Sequence, residues 1–120
     1  MKNTKMLKKN YEFKKVLSKG EYYSAKNITA YIIKAEKQSE NNKKKYLGLA
    51  VGVKCGKAYQ RNRIKRILRE AYKINESKIL NGIYIVFVLN KKSKIKEITY
   101  LEIKKDMEKI FKKAKIYKSK

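Results

Sequence analysis

Apolar residues form two kinds of pattern along the chain, a helical spacing and an uninterrupted run, which together predict a domain that contains both helices and strands. Over residues 61–75 they fall three and four positions apart and form one stripe, made of Ile64, Ile67, Leu68, Ala71 and Tyr72. Residues 83–89 are an uninterrupted apolar run, as expected of a strand buried on both faces. A last helix is predicted from Thr99, which has the spacing of a capping box with Glu102. Its apolar stripe consists of Ile103, Met107, Ile110, Phe111 and Ala114.

The N-terminal half of the chain predicts a short helix followed by strands. The helix covers about residues 10–18, with Asn10 as its cap and Gly20 just past its end. Residues 27–35 and 46–53 are rich in β-branched, aromatic and other apolar side chains and predict two strands, with a further short one around 21–24. Residues 36–45 contain no apolar side chain, which predicts a loop between strands.

Small residues occupy one side of the predicted strand 46–53. Gly48, Ala50 and Gly52 alternate with bulkier side chains, so one face of this strand leaves space for a groove. The order helix, two or three strands, helix, strand, helix predicts an α+β sandwich with helices packed on one small sheet. We expect a single domain over residues 1–120, with basic, frayed ends at about 1–6 and 115–120.

Positive charge changes this picture most. The chain has 34 Lys and Arg residues against 10 acidic ones, a formal net charge of +24. Self-repulsion of this size weakens a folded chain of 120 residues unless a polyanion neutralises it, and nucleic acid is the natural candidate. An anionic membrane surface is the main alternative, whereas a merely solubilising surface would need far less charge. No apolar core of a signal peptide follows the basic start, so we expect a cytoplasmic protein.

Catalytic side chains are scarce. The sequence has no His and a single cysteine, Cys55, so it offers no imidazole base, no internal disulfide and no cysteine zinc cluster. Asp106 is the only Asp, and we expect it on the surface of the last helix. These residues predict an accessory binding protein with no catalytic or metal site of its own.

A second stripe runs along the predicted helix 61–75, roughly opposite its apolar one. It consists of Asn62, Lys65, Arg66, Arg69 and Lys73, with Arg61 and Arg63 beside its N-terminal end. Like charges one turn apart destabilise an isolated helix but match a row of phosphates, which arginine can hold with two parallel hydrogen bonds. A solvated surface helix is the alternative, although such helices normally mix Glu with Lys. Asn62 also has a second interpretation, as a helix cap.

The same helix carries a run that closely resembles the RNR motif of the bacterial RNase P protein family, namely Arg61-Asn62-Arg63-Ile64-Lys65-Arg66, continued by Leu68-Arg69-Glu70-Ala71-Tyr72. Further similarity lies in Gly48-Leu49-Ala50-Val51, Lys54, Gly56 and Ala58, and in Leu7 to Phe13 with Gly20. The resemblance covers about residues 5–115. It implies an αβββαβα sandwich with one mixed sheet and a left-handed βαβ crossover, against the usual right-handed rule.

The resemblance also implies a function. In this family a catalytic RNA subunit and its Mg²⁺ ions remove the 5′ leader of precursor tRNA, and the protein assists without a cofactor of its own. The implied contacts with the catalytic RNA are Arg61, Asn62, Arg63, Lys65, Arg66 and Arg69. The implied cleft for the leader, between the sheet and the first helix, contains Phe13, Leu17 and Tyr31. Many members have an aromatic residue where this chain has Leu17.

Two other classes of protein remain open at this stage. One is a ribosomal or other structural RNA-binding protein, and the other is a nucleoid or membrane-surface protein. The residues alone favour RNA or DNA as the partner, and only the resemblance singles out the catalytic RNA and precursor tRNA.

Overall fold

Three helices and five strands make up the part of the chain that the structure describes. The computed structural model describes residues 4–34 and 44–118. The helices and strands are β1 Thr4–Met6, α1 Asn10–Lys19, β2 Glu21–Ser24, β3 Ile28–Lys34, β4 Lys45–Ala50, α2 Ala58–Asn75, β5 Ile83–Leu89 and α3 Tyr100–Ala114. Short 3₁₀ turns lie at Val53–Cys55, Glu76–Lys78 and Ile95–Glu97.

The strands form one mixed sheet in the order β1-β4-β5-β3-β2. β4 pairs in parallel with β1 and β5, whereas β3 pairs antiparallel with β5 and β2. Alternate residues of each strand face opposite sides of a sheet, and the two faces bury two separate apolar clusters. One cluster packs α2 and α3 against residues such as Leu47, Ile85 and Phe87. The other packs α1, through Val16, against Val86.

The predicted fold class is confirmed. The elements α1 to α3 follow the order αβββαβα, and α2 makes the crossover between the parallel neighbours β4 and β5. The left-handed sense of that crossover stays a prediction. β1 was missed in the sequence because three residues, Thr4–Met6, are too few to show a period.

Several predicted boundaries shift. The strand predicted over 46–53 ends at Ala50, because the chain then turns into the 3₁₀ segment Val53–Cys55. α2 begins three residues before position 61, at Ala58. Lys45, predicted in a loop, is the first residue of β4, whereas Lys44 belongs to no helix or strand. Residues 36–43 of the predicted loop lie outside the described residues.

The chain ends are more ordered than expected over their described parts. Thr4–Met6 pairs with β4 as a sheet strand. After α3, Ile116 is fully buried and Tyr117 forms a β-bridge with Ile79. Fraying was predicted at both places because basic residues dominate their composition, yet backbone pairing needs no particular side chain. Residues 1–3 and 119–120 lie outside the described residues.

Two predicted polar roles are wrong. Asp106, predicted on the surface of α3, is 95% buried. Its carboxylate accepts the backbone N–H of Asn27 at 2.9 Å and so closes the turn before β3. Asn10 is not the cap of α1, because the helix is preceded by Lys9, whose backbone N–H donates to the Glu12 carboxylate at 3.1 Å. That hydrogen bond lowers the pKa of Glu12. Thr99, in contrast, is confirmed as the cap of α3, since its hydroxyl accepts the Glu102 N–H.

Candidate nucleic-acid interface

The start of α2 is built by a tight backbone turn. The backbone N–H of Lys57 donates to the side-chain oxygen of Gln60 at 2.9 Å, which caps the first turn of the helix. Gly56 precedes this turn, and a Cβ placed there would lie 2.6 Å from Gln60 Oε1 and 3.3 Å from the side chain of Ile95. Glycine at position 56 therefore allows the helix start and the segment around Ile95 to approach each other.

Both predicted stripes of α2 are present. The five apolar residues are all buried, from Ile64 at the start to Tyr72. Asn62 and Arg66 are exposed, and Lys65 and Arg69 are half-buried at the rim of the helix. Within residues 4–34 and 44–118, the side chains of Lys65, Arg66 and Arg69 make no hydrogen bond or ion pair with the protein. This polar face therefore presents cations that the described fold does not neutralise.

Lys73 differs from the other members of the polar stripe. It lies 3.5 Å from the carboxylate of Glu70, one turn away, and both side chains are about half exposed. An exposed pair of this kind contributes little to stability. The unpaired cations of the face are therefore those that precede Lys73, in the middle of α2.

Arg61 and Arg63 are tied to their own chain. Arg61 Nε donates to the Gly56 carbonyl at 3.2 Å, and Arg63 Nη2 donates to the Ile98 carbonyl at 2.7 Å. Each guanidinium has five N–H donors, so both retain donors for a ligand. The proposed cap role of Asn62 is wrong, because Asn62 lies in the second turn of a helix that starts at Ala58.

The sheet face under α1 contains the residues predicted for the cleft. Gly48, Val86 and Tyr31 are aligned across β4, β5 and β3. The ring of Phe13 lies on this row, so that a Cβ at Gly48 would be only 2.7 Å from Phe13 Cε1. The space expected at Gly48 is thus filled by Phe13, and an open groove begins one row further, at Ala50.

That open part is a groove at the carboxyl ends of β4 and β5, which we call the end groove. It has a volume of about 700 Å³ and is lined by Ala50, Gly52, Val53, Lys54, Cys55, Val88, Leu89 and Lys91. Its apolar floor is flanked by two lysines, and it ends at the turn that leads into α2. The groove thus extends from Val88, on the α1 face of the sheet, to the turn that precedes α2, a proximity that sequence spacing does not show.

Tyr31 is half-buried beside Phe13 and has a neighbour that the sequence did not single out. The ring of Tyr22 lies 6.1 Å from that of Tyr31 and is 69% exposed. Leu17, one turn after Phe13 on α1, is partly exposed. The register of β2 on β3 brings Tyr22 opposite Tyr31, and strand pairing of this kind has no signal in the sequence.

The other end of the same face carries a second aromatic pair. Tyr46 and Tyr84 are register partners whose rings stack at 4.4 Å, and Lys15 Nζ lies 5.9 Å from the centre of the Tyr84 ring. Burial raises the pKa of Tyr84, with a smaller effect from Tyr46. Several of the ten tyrosines thus line one face of the sheet.

Comparison with known proteins decides the family. The family model Ribonuclease P matches residues 1–115 of the chain. The chain belongs to the ribonuclease P protein family. It is 33% identical to the ribonuclease P protein component of Clostridium novyi, with 98% of this chain and 99% of that protein covered. It is 37% identical to the component of Clostridioides difficile, with 94% of each covered.

Solved ribonuclease P proteins share the fold. A Staphylococcus aureus RNase P protein mutant with defective mRNA degradation activity matches with a TM-score of 0.76 and 30% identity, over 92% of this chain and 88% of that chain. As a ribonuclease P protein component, the chain is a tRNA-processing subunit of a ribonucleoprotein. None of its described helices is long and apolar enough to cross a membrane. No group of three or more His, Cys, Asp or Glu in the described residues is arranged to hold a metal ion.

Proposed function

We propose that the chain binds the catalytic RNA of a bacterial RNase P and the 5′ leader of precursor tRNA, and so assists endonucleolytic removal of the leader in the cytoplasm. Catalysis and Mg²⁺ belong to the RNA subunit in this proposal. The observation that carries it is the polar face of α2, where Lys65, Arg66 and Arg69 have no partner among the described residues.

The RNA-binding surface on α2 comprises Arg61, Asn62, Arg63, Lys65, Arg66 and Arg69. The buried stripe of α2 holds the helix rigidly in the domain, so its cations are presented in a fixed row. When these cations neutralise RNA phosphates, the counterions condensed on the RNA are released. A substitution that removes one phosphate-binding side chain should therefore lower the slope of log K against log salt by about one.

The proposed leader-binding surface runs from the rings of Phe13 and Tyr31 to the end groove. Single-stranded RNA favours grooves that combine aromatic platforms with basic flanks. Phe13 and Tyr31 supply the rings, Leu17 lies beside them on α1, and Lys54 and Lys91 flank the open groove. Because the tRNA body is the same in precursor and product, only such a second surface distinguishes the two.

Reconstitution tests the proposal most directly. The purified protein, added to RNase P RNA at a Mg²⁺ concentration too low for the RNA alone, should restore specific cleavage of the precursor tRNA leader. A protein that binds the RNA without restoring cleavage would instead be a structural RNA-binding protein. Binding to anionic vesicles in the absence of RNA would favour the membrane-surface alternative.

The leader surface has its own test. Tyr31→Ala should reduce the preference of the assembled holoenzyme for precursor over mature tRNA by about 5- to 100-fold, the range that corresponds to loss of one stacked base. Dissociation constants for both tRNAs, measured with Tyr31→Ala, Tyr31→Phe and wild type, give the ratio. An unchanged ratio in a folded Tyr31→Ala variant would mean that Tyr31 only packs against Phe13 and Val86.

The protein alone should cleave no RNA. It has no His to act as a general base, and its ten acidic residues include a single Asp, which is engaged with Asn27. To test this, the protein is incubated with Mg²⁺ and either precursor tRNA or an mRNA. The mRNA is included because one similar solved structure is of a Staphylococcus aureus RNase P protein mutant with defective mRNA degradation activity. Specific cleavage by protein that is free of RNase P RNA would contradict the proposal that catalysis belongs to the RNA subunit.

A further inference from the structure

A second groove borders α2, which carries the RNR motif and is called the RNR helix below, on the side of the segment that follows β5. It is lined by Tyr59, Gln60, Arg63, Ile95 and Lys96 and has a volume of about 330 Å³. Tyr59 is the second residue of α2 and its side chain is 67% exposed. Within the described residues its ring stacks on no other aromatic side chain. About two thirds of this large side chain is thus left uncovered at a basic rim of the domain.

The opposite wall of the groove is a lysine loop, residues 90–97, which is firmly anchored. Ile95 packs against the backbone at Gly56, and the Ile98 carbonyl that follows the loop accepts from Arg63. At the other end of the loop, the Asn90 amide donates to the Ala25 carbonyl at 2.9 Å. These contacts position an otherwise polar segment beside the helix.

The loop carries four exposed lysines and one exposed acidic residue, Glu97. The lysines are Lys91, Lys92, Lys94 and Lys96. Lys91 lines the end groove, whereas Lys96 lines the groove beside Tyr59, so the loop separates the two grooves. Its charge matches a phosphate backbone and is unsuited to a cationic or apolar partner.

Tyr59 belongs to the same side of α2 as the RNR residues. Tyr59, Asn62, Arg63 and Arg66 stand at i, i+3, i+4 and i+7, which is one helical face. An RNA strand held on Arg66 would therefore reach Tyr59 within two turns of helix. The ring offers a stacking platform, and the free donors of Arg63 and the ammonium of Lys96 are next to it.

We propose that this groove binds one unpaired nucleotide of the RNase P RNA, with its base stacked on Tyr59 and its phosphates held by Lys96 and Arg63. The inference rests on the proposed function, since it assumes that the catalytic RNA is the ligand of α2. It adds a base contact on unpaired RNA to a helix whose other contacts are to phosphates.

The test compares two equally exposed tyrosines. Tyr59→Ala should weaken assembly with RNase P RNA by about 5- to 100-fold, as expected for loss of one stacked base, and Tyr59→Phe should retain wild-type affinity. Tyr11, on α1, is also 67% exposed and serves as the matched control. Because Tyr11 lies outside the proposed groove, Tyr11→Ala should change the affinity for RNase P RNA by less than about twofold. Lys96→Ala should lower the salt slope of assembly by about one, whereas Tyr59→Ala should leave the slope unchanged.

Chemical footprinting of the unpaired bases of RNase P RNA identifies the nucleotide. A base protected by wild-type protein and by Tyr59→Phe, but reactive with Tyr59→Ala, supports the proposal. Equal affinity and equal protection with Tyr59→Ala would overturn it while the RNR helix still binds RNA. Weakened binding of precursor tRNA to a normally assembled Tyr59→Ala holoenzyme would also overturn it, because the ligand would then be the substrate. If wild-type protein fails to bind RNase P RNA, the proposed function itself fails.

Discussion

Close approach, rather than backbone freedom, explains the glycine at position 48. Its missing side chain is replaced by the ring of Phe13, which lies across β4 and joins α1 to the sheet. Position 52 belongs to the same series of small residues in the sequence, yet it lies past the end of the strand and is exposed. Two residues with the same sequence pattern therefore have different physical roles.

Alanine substitution should separate these roles. In Gly48→Ala the new Cβ would meet Phe13 Cε1 at 2.7 Å and Val86 Cγ2 at 3.1 Å. Overpacking of this kind should lower the free energy of unfolding by about 1–3 kcal/mol. In Gly52→Ala the nearest atom is Cys55 Sγ at 3.9 Å, so stability should change by less than about 0.5 kcal/mol. Urea unfolding of both variants measures the difference, and equal stabilities would show that the Phe13 ring can move away without cost.

Tyr72 should make the protein sensitive to alkaline pH. The side chain is fully buried and its hydroxyl lies 2.7 Å from Thr4 Oγ1; burial raises its pKa above the usual value. Above pH 10 the unfolded chain loses this proton while the folded chain keeps it, so stability is present below that pH and falls as pH rises. One such group lowers the free energy of unfolding by about 1.4 kcal/mol at pH 11.

Tyr72→Phe isolates this effect. The variant should show a loss of stability between pH 9 and pH 11 that is smaller than that of wild type by about 1.4 kcal/mol. Tyr84 and Tyr117, whose pKa values are also raised, contribute equally to both proteins. Burial lowers the pKa of Lys45, which acts in the opposite direction, again in both. Identical pH profiles for the two proteins would mean that the phenolate of Tyr72 is tolerated inside the fold.

At the scale of the element, α2 has one face that packs the fold and an opposite face to which the proposed function assigns RNA binding. The apolar stripe is buried against α3 and the sheet, whereas the polar face carries cations without partners in the described chain. Adjacent residues can therefore differ sharply in burial, as Ile67 is buried and Arg66 is exposed. The helical period alone predicted this division, because residues three and four apart must lie on one side.

A pair of neighbouring substitutions tests the division. Ile67→Ala should lower the free energy of unfolding by about 2–5 kcal/mol, because the side chain is 92% buried. Arg66→Ala should leave stability within about 0.5 kcal/mol of wild type and weaken RNA binding with a salt slope lower by about one. Chemical unfolding and salt-dependent binding are measured on both. If Arg66→Ala unfolded the domain and Ile67→Ala did not, the phase of the helix would be wrong.

At the scale of the whole molecule, excess positive charge sets the conditions for stability. A formal net charge of +24 on 120 residues repels itself, and one exposed ion pair, Lys73 with Glu70, is seen in the described parts of the chain. Screening of the repulsion should therefore favour the folded state.

Salt should thus stabilise the free protein while it weakens the RNA complex. Raising NaCl from about 0.01 M to 0.15 M shortens the Debye length from about 30 to 8 Å, so the urea midpoint of the free protein should rise. The same change should loosen assembly with RNase P RNA, since counterion release is less favourable at higher salt. If the urea midpoint of the free protein instead fell as salt rose, attractive ion pairs rather than repulsion would dominate the surface.

The sequence by itself determined the fold class, the buried and polar faces of α2, the apolar stripe of α3, the cap at Thr99 and the family resemblance. These follow from local spacing, which a helix or strand converts directly into a face. Only the tertiary structure decided the burial of Asp106, the pairing of Tyr22 with Tyr31, the Phe13 ring over Gly48 and the lysine loop beside Tyr59. Each of these joins residues far apart in the chain, and such contacts depend on strand order and packing, which have no period in the sequence.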